Sequence, residues 1–264
     1  MSLDTARLDT ALDTARTALL AERVAEGHWE GELSSSALST AVACAAMQHV
    51  QTATGAEEHC ALIQGGLHWL AQHANADGGW GDTTKSLSNI STTTLCWATF
   101  HAVPGALEEH AEVVAAAEQW LTKAAGGVTP DYLAPAIIAR YGKDRTFSVP
   151  ILTHCALAGK GRWKDVIQLP FELAALPRNW FAALRLPVVS YALPALIAIG
   201  QCRHQHRPSW NPFTRVLRNA AREKTLQVLE QIQPSNGGFL EATPLTSFVT
   251  MSLAGCGLPD HPVA

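Results

Sequence analysis

The sequence has 264 residues and a formal net charge of −4, with 47% hydrophobic and 16% charged residues. A chain of this length can bury one large core or two modest ones. The charged fraction lies below the roughly 25% usual in soluble proteins, which indicates an unusually apolar interior or an apolar contact surface. The acidic balance argues against nucleic-acid binding, and no Lys/Arg tract marks a patch for an anionic membrane.

The cysteines and the first residues indicate the compartment. The six cysteines stand at positions 44, 60, 96, 155, 202 and 256, most of them inside apolar runs and none in a Cys-x-x-Cys pair. Reduced cysteines in such places pack as small hydrophobes. The first 24 residues carry Asp4, Asp9 and Asp13 and lack the apolar core of a secretory signal. We therefore expect a reducing, cytoplasmic location.

Apolar residues at helical spacing predict helices along most of the chain, and no segment shows a clear strand pattern. In chain order, the predicted helices cover residues 3–24, 37–50, 56–73, 90–100, 107–125, 133–141, 188–200, 217–232 and 248–253. Residues 142–162 have weak periodicity, and the polar run 202–207 is expected to be a solvated linker. The predicted fold class is all-α.

The uncharged segment 188–200 has two interpretations. Its 13 residues are too few to span a bilayer, for which about 20 are needed. We expect a buried core helix, and a membrane-dipping element is the alternative.

One unit organises the chain: a helix, a glycine-rich turn, an aromatic residue and a second helix. Its clearest copy has Asn-Ala-Asp-Gly-Gly at 75–79, directly before Trp80. Turn formers of this kind end helices and permit positive φ. The unit recurs with Pro-Ser-Asn-Gly-Gly at 234–238 before Phe239, and more loosely around Trp29. Trp29 and Trp80 are 51 residues apart, a period typical of stacked helical hairpins, none of which buries its apolar face alone.

The aromatic residue of each unit is expected to be structural. Gln72 and Gln231 each lie eight residues before the aromatic residue, which is Trp80 or Phe239. The ring can cover the end of a neighbouring helix, while the glutamine hydrogen-bonds the free backbone groups there. We predict that these four residues, together with Trp29, clamp adjacent hairpins and take no part in catalysis.

No constellation of residues indicates a catalytic or metal centre. His204-Gln205-His206 cannot place both rings on one helical face, and Cys96 and His101 are poorly spaced for it, whereas a closed zinc site needs four convergent ligands. Asp77 and Asp82 flank the Trp80 turn and are expected to cap helices. The sequence has no Gly-x-Ser-x-Gly, phosphate loop or dinucleotide fingerprint. We predict no metal, no cofactor and no catalytic residue in this sequence.

The ordered motifs resemble a known family. Asp77-Gly78-Gly79-Trp80 after Gln72 is similar to the repeat motif of the terpene cyclases that include squalene–hopene cyclases, and Asn236-Gly237-Gly238-Phe239 after Gln231 resembles a degraded copy. The resemblance covers nearly the whole chain, but only the N-terminal half of a full-length cyclase. Protein prenyltransferase β-subunits share the toroid, so the ordered set is the more specific signal. Its other members are 26–31 (Glu-Gly-His-Trp-Glu-Gly), Gly126-Gly127-Val128, Gly142, Val149-Pro150, Leu176-Pro177 and 189–192 (Val-Ser-Tyr-Ala).

The resemblance implies an α/α toroid of stacked helical hairpins with Gly-Gly-aromatic turns. We expect an N-terminal helix at residues 1–25 and an incomplete toroid at 26–264, with the second, catalytic toroid absent. Cyclases of this family protonate a terminal alkene of a linear triterpene, usually squalene, and guide a cation cascade in a pocket lined with aromatic rings. Their acid is an Asp of an Asp-x-Asp-Asp motif, which this sequence lacks.

Four residues match wall positions of the family's substrate pocket. Tyr191 falls where the family's Ser-Trp-Ala tract contributes an aromatic residue. Thr243 and Pro244 fall where the family has a polar residue and a proline beside the pocket, and Leu133 matches another wall position. A buried core tyrosine at 191 and a plain helix start at 243 remain the alternatives. The Trp-to-Tyr change indicates a divergent branch with its own substrate.

Our hypothesis is the N-terminal portion of a squalene cyclase-like class II terpene cyclase. The complete enzyme would be an isomerase, and this portion would supply the companion toroid and part of the pocket wall. Expected partners are a linear isoprenoid hydrocarbon such as squalene, the missing catalytic toroid or a chain that carries it, and the inner face of a membrane as a peripheral surface. The alternatives are a non-catalytic isoprenoid-binding or interaction module, and a zinc-dependent prenyltransferase subunit, whose ligand set is not visible.

Overall fold

The structure is a computed structural model that describes residues 4–29, 34–177, 180, 192–240 and 242–264. Within these residues the protein is all-α, as predicted, with no β-strand. A 3₁₀ helix covers Phe171–Ala175 between α8 and α9. The α-helices are α1 (Thr5–Ala21), α2 (Ala37–Thr54), α3 (Cys60–Gln72), α4 (Ile90–Ala102), α5 (Ala106–Glu109), α6 (Ala111–Ala125), α7 (Pro130–Tyr141), α8 (Ser148–Leu157), α9 (Leu193–His206), α10 (Pro212–Gln231) and α11 (Thr243–Gly255).

The chain forms two compact units, Met1–Ser35 and Ser36–Ala264. In the first unit, the side chain of Asp4 caps α1 by accepting a hydrogen bond from the amide of Arg7. A backbone bridge between Arg23 and Trp29 closes the turn that follows α1.

Helices of the second unit fall into two groups by burial. Ten of the thirteen residues of α4 and eight of the ten residues of α8 are buried. Only three of thirteen are buried in α3 and three of fifteen in α6. The cause lies in composition: α4 and α8 carry apolar and hydroxyl side chains all round, whereas α3 and α6 have one apolar stripe and a polar face.

Four helices of the second unit, including α4 and α8, pack in a closed cycle. Helix α2 contacts α4, α4 contacts α8, α8 contacts α11, and α11 returns to α2. The amphipathic helices lie against members of this cycle: α3 against α2, α6 against α4, and α7 against α8. The first and last helices of the unit are therefore neighbours.

Neutral polar groups cross-link the cycle. Thr99 Oγ1 in α4 lies 3.0 Å from the carbonyl oxygen of Ala41 in α2 and 3.2 Å from Nε2 of His154 in α8. His154 is fully buried, and Nε2 also lies 3.2 Å from the carbonyl oxygen of Leu95. Because a carbonyl oxygen only accepts, Nε2 carries the proton. Burial lowers the pKa of His154 to about 3, so its ring is neutral at pH 7.

The prediction of a solvated linker at 202–207 is wrong, because α9 continues to His206. Two polar side chains of this helix are buried and bonded to α10: Gln201 Nε2 donates to Thr225 Oγ1 at 2.9 Å, and His204 Nε2 lies 2.9 Å from Asn219 Oδ1. Polar residues can be buried when they have hydrogen-bond partners. Because Thr225 and Asn219 lie in the next helix, the composition of residues 202–207 does not reveal them.

The apolar segment 188–200 is described from residue 192 onward, and that part lies in α9. Ile197, Ala198 and Ile199 are buried in the core there, as expected of a core helix. None of the helices in the described ranges combines the length and the apolar character needed to cross a membrane.

Candidate functional site

The turn between α3 and α4 is built around Asp77 and Gly78. Gly78 adopts a φ of +86°, the left-handed conformation that favours glycine. Asp77 Oδ1 accepts hydrogen bonds from the hydroxyl of Ser88 at 2.6 Å and from the amide of Gly79 at 3.2 Å. These bonds, and a third from the indole of Trp120, hold the pKa of Asp77 below its ordinary value. The carboxylate is therefore a charged acceptor at neutral pH.

Trp80 forms hydrogen bonds with both helices that meet at this turn. Its side chain is 1% exposed, and Nε1 donates to the carbonyl of Leu70 at 3.0 Å, in the last turn of α3. Its backbone amide donates to Thr93 Oγ1 at 3.0 Å, in the first turn of α4. The last carbonyls of a helix lack partners within the regular helix. The carbonyl of Leu70 accepts two donors here, the indole of Trp80 and the amide of His73 at 3.2 Å.

Further contacts join this hairpin to α6. Trp120 Nε1 donates to Asp77 Oδ2 at 2.9 Å, and Trp97 Nε1 in α4 donates to Glu118 Oε1 at 3.1 Å. The turn itself presses on α6, since a Cβ on Gly78 would stand 2.9 Å from the carbonyl oxygen of Ala116. The turn of one hairpin is thus fastened to the first helix of the next.

The turn between α10 and α11 repeats this construction. Asn236 Oδ1 accepts from the amide of Gly238 at 3.2 Å, and Gly237 has a φ of +81°. Phe239 is 2% exposed, and its amide donates to Thr246 Oγ1 at 2.9 Å in the first turn of α11. Both turns share an Asx-type bond, a left-handed glycine, a buried aromatic residue and a threonine cap on the next helix.

Trp29 makes the corresponding bond in the first unit. Its Nε1 donates to the carbonyl of Leu19 at 2.6 Å, near the end of α1, and the guanidinium of Arg23 lies 5.7 Å from its ring centre. Trp29 and Trp80 each donate to a leucine carbonyl ten residues earlier in the chain. In both places, the indole thus donates a hydrogen bond to the end of the preceding helix.

The two glutamines of the predicted clamp lie on the surface. Gln72 Nε2 is 2.9 Å from Nε2 of His68, one turn earlier in α3, and Gln231 is the last residue of α10. The helix end that sequence reasoning assigned to Gln72 is bonded by the indole of Trp80. The signal for this bond is a leucine ten residues before the tryptophan, which is inconspicuous because leucine is common in helices.

Three of the four predicted pocket residues fall in the described part of the chain. Leu133 is 2% exposed in α7, beside a gap of about 10 Å³, the volume of one water. Thr243 and Pro244 occupy the first turn of α11, where Thr243 is exposed. Helix α8 packs against both α7 and α11, so it lies between these positions. Tyr191 lies outside the described residues, and a pocket role for all four stays a prediction.

The turn carboxylates act as hydrogen-bond acceptors for the local structure. Asp82 Oδ1 accepts from Asn89 Nδ2 at 2.9 Å and from Thr92 Oγ1 at 2.6 Å, at the start of α4. Among the residues that the structure describes, no three His, Cys, Asp or Glu side chains converge as a metal site.

Comparison with protein families shows the family to which the chain belongs. The model described as "Squalene-hopene cyclase N-terminal domain" matches residues 12–209, which are 198 of the 264 residues. The chain belongs to this family. A comparison with curated protein sequences gives no match. The resemblance drawn from the ordered motifs is thereby confirmed for the N-terminal part of squalene–hopene cyclase.

The match to the squalene–hopene cyclase N-terminal domain covers some of the predicted site residues and not others. It includes the Trp80 turn, Leu133 and Tyr191, whereas the Phe239 turn and Thr243-Pro244 lie beyond residue 209. The Phe239 turn repeats the bonds of the Trp80 turn, so the same turn construction recurs beyond the matched segment.

Replacing Gly78 by alanine tests the contact between the turn and α6. The added Cβ costs about 1–2 kcal/mol for the left-handed conformation and roughly 1–3 kcal/mol more for overpacking against Ala116. Gly237→Ala is the matched control, since Gly237 has a similar φ and no atom within 4 Å of the added Cβ. In urea unfolding, we expect Gly78→Ala to lose at least about 1 kcal/mol more free energy of unfolding than the control. Equal losses would mean that the turn does not press on α6.

Proposed function

We propose that this chain supplies the companion toroid of a squalene cyclase-like class II terpene cyclase. In this proposal, the cycle α2–α4–α8–α11 is the inner layer of an α/α toroid, and α3, α6 and α7 belong to its outer layer. The observation that carries the proposal is the family match over residues 12–209. The contrast in burial between the two groups of helices and the bonded turns between them support it.

The proposed substrate is a linear isoprenoid hydrocarbon such as squalene. Protonation of its terminal alkene starts a cation cascade, which a pocket must shape and keep free of water. Leu133, Tyr191, Thr243 and Pro244 are the proposed wall positions. Their part would be steric and, for the tyrosine ring, stabilisation of a passing cation by the aromatic face.

The proton must come from another group, since an alkene is protonated only by a strong acid. Threonine and tyrosine hydroxyls are far too weak, with a tyrosine pKa of about 10 in water. His154 is neutral at pH 7 because burial lowers its pKa to about 3, and the one N–H that a neutral imidazole keeps is far too weak an acid for this step. The sequence contains no Asp-x-Asp-Asp. We therefore propose that the acid is carried by a second, catalytic toroid or by a partner chain.

The alternative is a non-catalytic isoprenoid-binding or interaction module. The missing acid motif is the observation that favours it. Both proposals include binding of a linear isoprenoid. They differ in whether a cyclic product forms when the chain is mixed with a catalytic toroid.

Complementation separates the two proposals. The chain would be incubated with squalene, alone and with the C-terminal toroid of a squalene–hopene cyclase that carries Asp-x-Asp-Asp, and products would be identified by gas chromatography and mass spectrometry. We expect no cyclic product from either part alone and cyclic triterpene from the mixture. Cyclisation by this chain alone would contradict the assignment of the acid. Squalene binding without product in any mixture would favour the binding module.

We also propose that the protein lies peripherally on a membrane, from which a water-insoluble substrate would be extracted. Trp210, just before α10, is 98% exposed, and Phe213 in its first turn is 76% exposed. Val216 and Leu217 follow at helical spacing on the same exposed side, away from the buried Leu229. An apolar stripe of this kind can enter the interface of a bilayer.

Cations lie near this apolar stripe, which we define as Trp210, Phe213, Val216 and Leu217. Arg207 precedes it, and Arg215 and Lys224 lie on α10. They are spread along the sequence, which is why no Lys/Arg tract is apparent. Cations beside an apolar surface favour the anionic headgroups of a cytoplasmic leaflet. The six cysteines are free thiols, and five of them are buried, which supports the proposed cytoplasmic location.

Sedimentation with vesicles of phosphatidylglycerol and phosphatidylcholine tests the stripe. We expect the double variant Trp210→Ala/Phe213→Ser to lower the partition coefficient roughly tenfold or more, since two large apolar side chains no longer leave water. The control is Leu87→Ser, which removes an apolar side chain that is 90% exposed outside the stripe. Equal binding by the double variant and the control would refute the role of the stripe.

A further inference from the structure

A solvent-open groove lies where α2 and α4 end and α3 begins. Its volume is about 490 Å³, within the range of pockets that bind small organic molecules. Nothing in the cyclase proposal uses it.

The lining of this groove is electronegative. Glu57 carries its one ionised group, and among the described residues that line it there is no lysine, arginine or histidine. The side chains of Gln48, Gln51 and Gln64 also line it, and a glutamine amide includes a carbonyl oxygen that can accept hydrogen bonds. Helices α2 and α4 both end there, at Thr54 and Ala102, and a helix C-terminus carries a partial negative charge.

The part of the second unit that contains most of the lining is acidic in sequence. Between Ser36 and Thr84 there are four Asp and Glu residues and no lysine or arginine. A groove lined by one sign of charge concentrates ligands of the other sign. The groove therefore favours a cation over a neutral or anionic molecule.

Hydrogen bonds within the protein hold the floor of the groove in place. Gln51 is 7% exposed; its Oε1 accepts from the amide of His59 at 2.8 Å, and its Nε2 donates to Cys60 Sγ at 3.4 Å. Ile63 and Val103 are buried apolar residues that also face the groove. A rigid floor that combines acceptors with apolar surface suits a ligand that has both ammonium groups and methylenes.

We propose that this groove binds an aliphatic diamine or polyamine. Its ammonium groups would donate to the carboxylate of Glu57 and to the amide carbonyls of Gln48 and Gln64, and its methylenes would lie on the exposed ring of Pro104, which also lines the groove. A single carboxylate with amides suits an organic ammonium better than a metal ion, which needs several convergent oxygen ligands. This site is independent of the cyclase proposal, and each can fail without the other.

Calorimetry with spermidine and putrescine tests the site on the full chain. We expect binding of both amines, weakened by added salt, and no binding of the neutral 1,4-butanediol. Glu57→Gln is expected to weaken spermidine binding about fivefold or more, as for loss of a partly exposed charge contact. The matched control is Glu112→Gln, which removes the same charge from an exposed position that does not line the groove.

A second variant tests the location without changing charge. Gln64→Trp fills the groove from the exposed face of α3 and is expected to abolish binding while the thermal midpoint of unfolding stays near that of the parent. Equal weakening by Glu57→Gln and Glu112→Gln would show attraction to the overall charge alone and overturn the proposal. Full binding by Gln64→Trp, or no binding of either amine by the parent chain, would overturn it too.

Discussion

The hydrogen bond from the buried indole of Trp80 to the carbonyl of Leu70 is the constraint on which the arrangement of the helices depends. The carbonyl of Leu70 accepts the amide of His73 at 3.2 Å and the indole of Trp80 as a second donor at 3.0 Å. The indole thereby bonds the end of α3 and fills the space between two helices at the same time. Because the amide of Trp80 also bonds Thr93, one residue sets both the end of α3 and the start of α4. The hydrogen bond from Trp120 to Asp77 then joins this turn to the next hairpin.

The interior that results is held by neutral groups. Thr99 and His154 connect three helices of the cycle without a buried charge, which avoids the large cost of desolvating an ion. This cross-link holds α2, α4 and α8 together without an ionised group. Ionised groups are unevenly spread over the chain. Residues 24–122 contain eleven carboxylates and one lysine, and residues 123–264 contain fifteen lysines and arginines and eight carboxylates. The groove proposed for amines lies in the acidic part, and the apolar stripe proposed for membranes lies in the basic part.

The sequence predicted features that depend on local signals. The all-α class, the Gly-Gly turns before Trp80 and Phe239, and the family itself follow from periodicity, turn residues and motif order, and the class and family are confirmed. The partners of the aromatic residues were not predictable, because Leu70 and Thr93 are ordinary helix residues until the chain folds. The error at 202–207 has the same cause, since the partners of Gln201 and His204 lie in the next helix. The contact of α11 with α2 joins the two ends of the second unit, and no local pattern encodes it. The division of the chain at residue 25 stays a prediction.

A double-mutant cycle on Asp77 and Trp120 tests most directly whether the turn of one hairpin is fastened to the next. The variants are Asp77→Ala, Trp120→Phe and their combination, and the measured quantity is the free energy of unfolding in urea. A charge-assisted hydrogen bond at a partly exposed position predicts a coupling energy of about 1 kcal/mol. The cycle removes the contributions that Asp77 makes separately to Ser88 and Gly79. Additive losses, within about 0.3 kcal/mol, would contradict the account, because the bond between Asp77 and Trp120 would then contribute nothing to joining the two hairpins.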